Sequence, residues 1–339
     1  MKNRRVLVTG GTGFLGQKLA RRLHEQGAEV TVLGRNKRVG EALQKEGIRF
    51  VCTDITDQKA VRDVCYGKQI VIHAAAFSSP WGRYRDMYAA NVEGTRHVIE
   101  GCRQHNVERL IHVSTPSLYF AFEDRLGIKE SDPLPQRFAN EYAETKFLAE
   151  REVDNAFENG LATITIRPRA LFGPGDNAIL PRLIRANKNR FVPIIEGGRA
   201  VIDLTYVDNV VDALLLCMDS SEKTLGKVYN ITNGEPVMLI DVLKSVFAKL
   251  DMPLNSKEVS YRQAYGIASV LELLSRTLLA YREPMLTRYT VGVLAKSQTL
   301  DITRAREELG YEPRVGLQEG IEIFANWWRQ EHERNTDPA

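Results

Sequence analysis

The sequence predicts an α/β protein: a doubly wound parallel sheet followed by a smaller C-terminal lobe. Three observations point to it. From residue 4 to about 167, short β-branched runs alternate with stretches that carry apolar residues at helical spacing, the signature of repeated βαβ units. A glycine-rich turn joins the first strand to the first helix. After Pro168 the rhythm changes to Gly- and Pro-rich loops, such as Phe172-Gly173-Pro174-Gly175 and Glu196-Gly197-Gly198, with helices between them and few strands.

Taken in order, strands are expected near 4–9, 29–33, 48–53, 69–73, 109–113 and 163–167, with helices near 14–26, 39–46, 58–65, 83–105 and 139–159. Residues from about 170 onward read as a lobe that also returns segments to the sheet. Within it, 261–295 is apolar and helix-prone, with basic residues at Arg262, Arg276, Arg282 and Arg288. Such a stretch suits a core, a greasy lid over a hydrophobic ligand, or a face resting on a membrane.

Bulk composition narrows the classes. With 339 residues, 43% of them hydrophobic, the chain can bury a sizeable core. A net charge of +3 and a charged fraction of 26% are ordinary, so no nucleic-acid partner is expected. Cys52, Cys65, Cys102 and Cys217 are widely spaced, and neither they nor the six histidines form a metal-ligand pattern; no metal is expected, and a reducing compartment is. The strand-like run Val6-Leu7-Val8 leaves no room for a signal peptide, and no apolar run reaches the roughly 18 residues that a membrane span needs. A cytoplasmic location without a transmembrane span is therefore expected, with peripheral membrane contact left open.

The first strand runs into Thr9-Gly10-Gly11-Thr12-Gly13-Phe14-Leu15-Gly16, which opens a helix. Gly10, Gly13 and Gly16 allow a tight turn, close approach to a pyrophosphate and close packing of helix on strand, while backbone N–H groups at Phe14, Leu15 and Gly16 meet the phosphate charge. A strand, this turn and a helix form the opening of a Rossmann-type dinucleotide site, so residues 1–169 are expected to be an NAD(P)-binding domain, 170–331 a substrate-binding lobe and 332–339 a tail. An acid at the end of the second strand would bind the ribose 2′-hydroxyl and repel a 2′-phosphate. That strand instead ends in Gly34-Arg35-Asn36-Lys37-Arg38. Arg35 can pair a phosphate in a forked geometry, which predicts NADP(H) as the preferred cofactor and NAD(H) as the alternative. Asp54 and Ile55 follow the third strand and could face an adenine ring; Ala74, Ala75 and Ala76 follow the fourth, where small side chains suit a dinucleotide crossing the strand ends.

Among the twelve tyrosines only Tyr142 is followed four residues later by lysine, Lys146, so both project from one helix face. The strand before that helix ends in Val113-Ser114-Thr115-Pro116-Ser117-Leu118-Tyr119, a source of hydroxyls. A free tyrosine titrates near 10, so proton exchange near neutrality needs a neighbouring cation, and a carbonyl that gains charge as hydride arrives needs a hydroxyl donor.

These motifs, together with His73-Ala74-Ala75-Ala76, Asn91-Val92-Glu93-Gly94-Thr95 and Arg167-Pro168, resemble the extended short-chain dehydrogenase/reductases over nearly the whole chain. The resemblance implies Tyr142 as general acid/base, Lys146 as the ribose-binding and tyrosine-activating cation, and a hydroxyl that polarises the carbonyl, aligned on Thr115 with Ser114 and Ser117 as neighbours able to share the role. It also implies cofactor contacts at Asn91, Pro168, Tyr142 and Lys146, and a homodimer through the helices near 83–105 and 139–159.

Two departures bear on the substrate. Dehydratases of the family carry an Asp-Glu pair after the catalytic Thr, where this chain has Pro116-Ser117. Nucleotide-sugar enzymes usually place an Arg before the Asp of a stretch like Asp203-Leu204-Thr205-Tyr206-Val207-Asp208, whereas Ile202 stands here and cannot hold a diphosphate. The remaining features, Ser114-Thr115-Pro116-Ser117, Tyr206 to Val210, Tyr229 to Pro236 and the greasy 261–295, resemble the 3β-hydroxysteroid dehydrogenase group with its sterol-carboxylate and long-chain 3-oxoacid relatives. That implies interconversion of a secondary alcohol and a ketone on a hydrophobic small molecule, running toward reduction where NADPH is the donor. A nucleotide-sugar epimerase and a non-catalytic NADP-binding regulator are the alternatives.

Overall fold

The structure, a computed structural model, describes residues 2–334. Six early strands form where β-branched runs occur: β1 (Arg5–Thr9), β2 (Glu29–Gly34), β3 (Arg49–Cys52), β4 (Ile70–His73), β5 (Arg109–Val113) and, after the short β6 (Arg125–Ile128), β7 (Thr163–Pro168). All but β6 lie in one parallel sheet, completed by a strand from far along the chain, Val228–Ile231, in the order 228–231, β7, β5, β4, β1, β2, β3. Strand order reverses at β1, which pairs with β2 on one side and β4 on the other. Beyond the carboxyl ends of strands at such a reversal lies the crevice where open α/β sheets take ligands.

Helices cover both faces because the strands are buried on both. On one side lie α1 (Phe14–Glu25), α2 (Lys37–Lys45) and the helix Val207–Asp219, with Leu19, Leu23, Leu43, Val210 and Leu214 against Val6, Val8 and Val32. On the other lie α3 (Gln58–Val64), α5 (Gly94–Gln104) and α6 (Glu141–Glu158), where Val61, Val98 and Val153 meet Leu7, Val71 and Leu110. The single helix expected over 83–105 is interrupted. A short α4 (Tyr84–Tyr88) passes through a π turn, Ala89–Glu93, before α5 begins. The π turn carries buried Asn91, whose amide bonds the Phe77 N–H at 2.7 Å and Thr145 Oγ1 at 3.0 Å.

Residues after β7 build a second core around Phe172, Ile184, Leu243, Phe247 and Phe324, with a four-stranded sheet that includes Val201–Ile202, Gln298–Leu300 and β6. Two strands of that sheet, Val201–Ile202 and Val237–Met238, and the separate pair Leu171–Phe172 and Thr205–Tyr206 are only two residues long. The 261–295 stretch folds as two helices, Tyr261–Thr277 and Arg288–Ala295. The last helix runs from Leu317 to Arg334, three residues into the expected tail; residues 335–339 lie outside the described residues.

Candidate active site

The glycine turn is built for close approach. Gly10 has φ +68°, and a Cβ there would stand 2.7 Å from the Ala75 N; a Cβ on Gly16 would stand 2.2 Å from the Gly10 carbonyl oxygen. Gly13 caps α1 without a side-chain bond, so the first N–H groups of the helix, from Phe14 to Gly16, point out beyond the strand ends. Such a cradle fits a dinucleotide pyrophosphate. Ala75 lies against the turn, its N–H donating to Thr9 Oγ1 at 3.3 Å, and Ala74 and Ala76 flank it after β4.

Arg35 stands exposed just past β2, donating to Asp54 Oδ2 at 3.3 Å. Asp54 also accepts the Thr56 N–H and hydroxyl; partial burial raises its pKa, but these bonds and Arg35 outweigh it and leave the carboxyl below its ordinary value. Ile55 is buried beside it. Arg35, Asp54 and Ile55 therefore gather at one end of the crevice, and Tyr142, Lys146 and Thr115 at the other; Pro168 ends β7, whose neighbour β5 leads into Thr115. Asn91 is 1% exposed, and its amide holds the segment after Ala76 in place.

α6 begins at Asn140, whose side chain accepts the Ala143 N–H at 2.8 Å, and its residues Tyr142, Lys146 and Glu150 follow one another a turn apart. Glu150 forms a buried bidentate pair with Arg167 of β7, at 2.9 and 2.5 Å, and Arg167 also donates to the Tyr119 hydroxyl. This pair fixes the helix against the sheet. Lys146 is 2% exposed and donates to the Val113 carbonyl at 2.9 Å, with His112 Nε2 at 3.3 Å. Burial, partly offset by Glu150, brings its ammonium down to about 8. Burial likewise holds His73, bonded between Thr9 and Thr95, down at about 3, so both histidines beside Lys146 stay neutral.

Burial pushes the Tyr142 phenol up to about 12, against a bond from Thr115 that favours the phenolate. Thr115 Oγ1 and Ser117 Oγ form a hydrogen bond of 3.0 Å, and Ser117 Oγ pairs with the Tyr289 hydroxyl at 2.9 Å. The buried Ser114 hydroxyl has no partner among the described residues. A phenol, an ammonium and a chain of hydroxyls can donate a proton to, and hydrogen-bond, a carbonyl oxygen that gains charge.

Sequence reasoning missed Tyr289 as part of the hydroxyl chain, Glu150 as the partner of Arg167, and Gln298, whose amide bonds the Pro116 carbonyl at 3.4 Å. Glu150 stands at helical spacing from Lys146, but its pairing with Arg167, and the positions of Tyr289 and Gln298 far along the chain, carry no local signal. Over the site lies an aromatic cover: Phe120 meets Tyr289 edge-on at 5.3 Å, and a small cavity is lined by Trp81, Phe122, Tyr265, Arg276 and Tyr289. Arg276 ties the cover to α6 through Glu141 at 2.9 Å.

A parallel sheet that reverses its strand order over this glycine turn, with a tyrosine and lysine facing its carboxyl edge, defines a nicotinamide-dependent oxidoreductase of the short-chain dehydrogenase/reductase class. The model of the 3-beta hydroxysteroid dehydrogenase/isomerase family matches residues 7–260, and the chain belongs to that family. It is 38% identical to a protein called YbjS of Escherichia coli (strain K12), covering 96% of this chain and 98% of that one. It is 34% identical to a 2-alkyl-3-oxoalkanoate reductase of Stenotrophomonas maltophilia (strain K279a), covering 94% and 97%. Among solved structures, the epimerase Mth375 of Methanothermobacter thermautotrophicus shares the fold with a TM-score of 0.81 at 23% identity, covering 99% of this chain and 95% of that one. Redox chemistry on a CH–OH group fits the family better than the epimerase reading.

Proposed function

We propose that the protein reduces the ketone of a hydrophobic 3-oxo compound to a secondary alcohol, with NADPH preferred as donor. The observation that carries this reading is the Tyr142 phenol, kept protonated by burial and joined to Thr115 at the foot of an aromatic cover. The name of the Stenotrophomonas relative, a 3-oxoalkanoate reductase, supports the substrate class.

In this reading residues 1–169 hold the dinucleotide and 170–331 cover the substrate. Gly10 to Gly16 cradle the pyrophosphate, with Ala74, Ala75, Ala76 and Pro168 as the walls, Asp54 and Ile55 at the adenine end, and Asn91 as the support of the wall. The bound nicotinamide supplies hydride to the carbonyl carbon. Thr115 hydrogen-bonds the carbonyl oxygen, Ser114 and Ser117 complete its polar surroundings, and Tyr142 gives its proton to that oxygen. Lys146 binds the ribose and stabilises the phenolate left behind. Arg35, exposed and with no acid at the end of β2, pairs the 2′-phosphate. The exposed apolar crest formed by Ile267, Val270, Leu273, Leu278, Leu279 and Met285 rests on a membrane surface, from which a greasy substrate enters.

Tyr142→Phe is expected to lower turnover of long-chain 3-oxo ketones by about 10²–10⁴-fold while NADPH binding, read by fluorescence titration, stays close to wild type. Near-normal turnover would refute the assignment. Arg35→Ala should weaken NADPH binding and spare NADH; unchanged NADPH affinity would remove Arg35 from the site.

A further inference from the structure

Directly after β7, Arg169 carries a charge that the reaction described above does not use. Its N–H bonds the Ile231 carbonyl at 3.1 Å, which sets it at the carboxyl end of the sheet next to Pro168. The side chain is 7% exposed. Nη1 donates to Gln298 Oε1, and Gln298 in turn bonds the carbonyl of Pro116, the residue after Thr115. Nε is buried without a partner among the described residues.

A buried guanidinium ordinarily faces an anion. Arg167, two residues earlier, has Glu150 in bidentate contact. Arg169, by contrast, takes part in no ion pair among the described residues. The acid whose field reaches it is Asp203, which lies outside ion-pair distance, with Oδ2 accepting the Leu300 N–H at 2.7 Å and Oδ1 unpartnered. The other group in its field is the Tyr289 hydroxyl. From Tyr289, two hydrogen bonds of 2.9 and 3.0 Å lead through Ser117 to Thr115, the hydroxyl beside the Tyr142 phenol. A serine, a phenol and a cation thus follow in turn from the reacting position, with Phe120 edge-on against the phenol.

We propose that Arg169, with Tyr289 and Ser117, binds a carboxylate one carbon away from the reacting carbonyl, so that the enzyme selects 3-oxo acids and their 3-hydroxy products over neutral ketones and alcohols. The inference rests on the ketone-reductase reading and adds the anionic group and the residue that reads it. Asp203 then balances Arg169 at a distance while the crevice is empty, and the substrate carboxylate supplies the contact anion.

The test uses the stable side of the reaction. The full-length enzyme with NADP+ is given a long-chain 2-alkyl-3-hydroxy acid and its methyl ester, and in parallel dodecanoate and dodecanol are compared as ligands by thermal shift. The wild type should favour the acid at least tenfold in kcat/KM and be stabilised by dodecanoate far more than by dodecanol. R169Q should lower kcat/KM for the acid at least tenfold more than for the ester and lose the dodecanoate shift, with R169K keeping part of both. If R169Q does not fold, Tyr289→Phe must still narrow the acid-to-ester ratio. Equal use of acid and ester by the wild type, or an R169Q loss equal for both, overturns the carboxylate site and leaves the reductase reading standing. If neither compound is oxidised, the reductase reading falls, and the ligand pair alone decides on Arg169: equal shifts with dodecanoate and dodecanol overturn the site.

Discussion

Lys146 is charged or neutral according to where its surroundings place its pKa, and they place it near the working range. Its ammonium is brought to about 8, where a free lysine titrates at about 10.4, because it is buried and only partly compensated by Glu150. Raising the pH through 8 therefore removes the charge proposed to hold the ribose. NADPH affinity should fall across that window, and Lys146→Arg, which keeps its charge, should flatten the profile; wild-type affinity constant from pH 7 to 9.5 would contradict it. Stability runs the other way. Between about 8 and 10.4 the unfolded chain binds more protons at this site than the folded one, so this group's contribution to stability rises with pH there. Tyr142, pushed up to about 12, stays a proton donor throughout.

At the scale of an element, α6 is the part on which the site depends, and Glu150 is its anchor. Glu150→Gln leaves Arg167 buried with its charge unmatched, at an expected cost of about 3–5 kcal/mol in urea unfolding. Replacing both partners by apolar residues of similar size should recover most of that loss; a neutral effect of the single change would show that the pair is not an anchor. What the sequence made legible follows the same division. The glycine turn and the pairing of Tyr142 with Lys146 are local spacings on one strand, turn or helix, and the structure sets them where those spacings imply. Glu150 with Arg167, Tyr289 with Ser117 and Gln298 with Pro116 are partners 17, 172 and 182 residues apart, which no local pattern encodes. The π turn at Ala89–Glu93 was hidden for another reason: one extra residue per turn leaves an apolar spacing that still reads as a continuous helix.

Across the whole molecule, the apolar surface is unevenly spread. Met285 is 89% exposed and Leu278 75%, in a stretch where Arg262, Arg276, Arg282 and Arg288 outnumber Glu272 and Glu283. No helix among the described residues is long and apolar enough to cross a membrane. The protein should float with vesicles rich in phosphatidylglycerol, less so at high salt, and a Leu278→Ser, Met285→Ser double variant should remain in the soluble fraction with its ketone turnover in detergent unchanged; flotation undiminished in that variant would exclude the crest. The second core was hard to foresee because strands of two residues leave almost no periodicity to read. Its connection to the first also has a consequence for synthesis. β7 remains an unpaired edge until Val228–Ile231 arrives, about sixty residues later, so a nascent chain halted at the end of the dinucleotide half exposes an open strand of buried type. The ribosome must therefore deliver part of the cover before the floor beneath it can close, and a fragment ending at residue 169 should emerge prone to self-association.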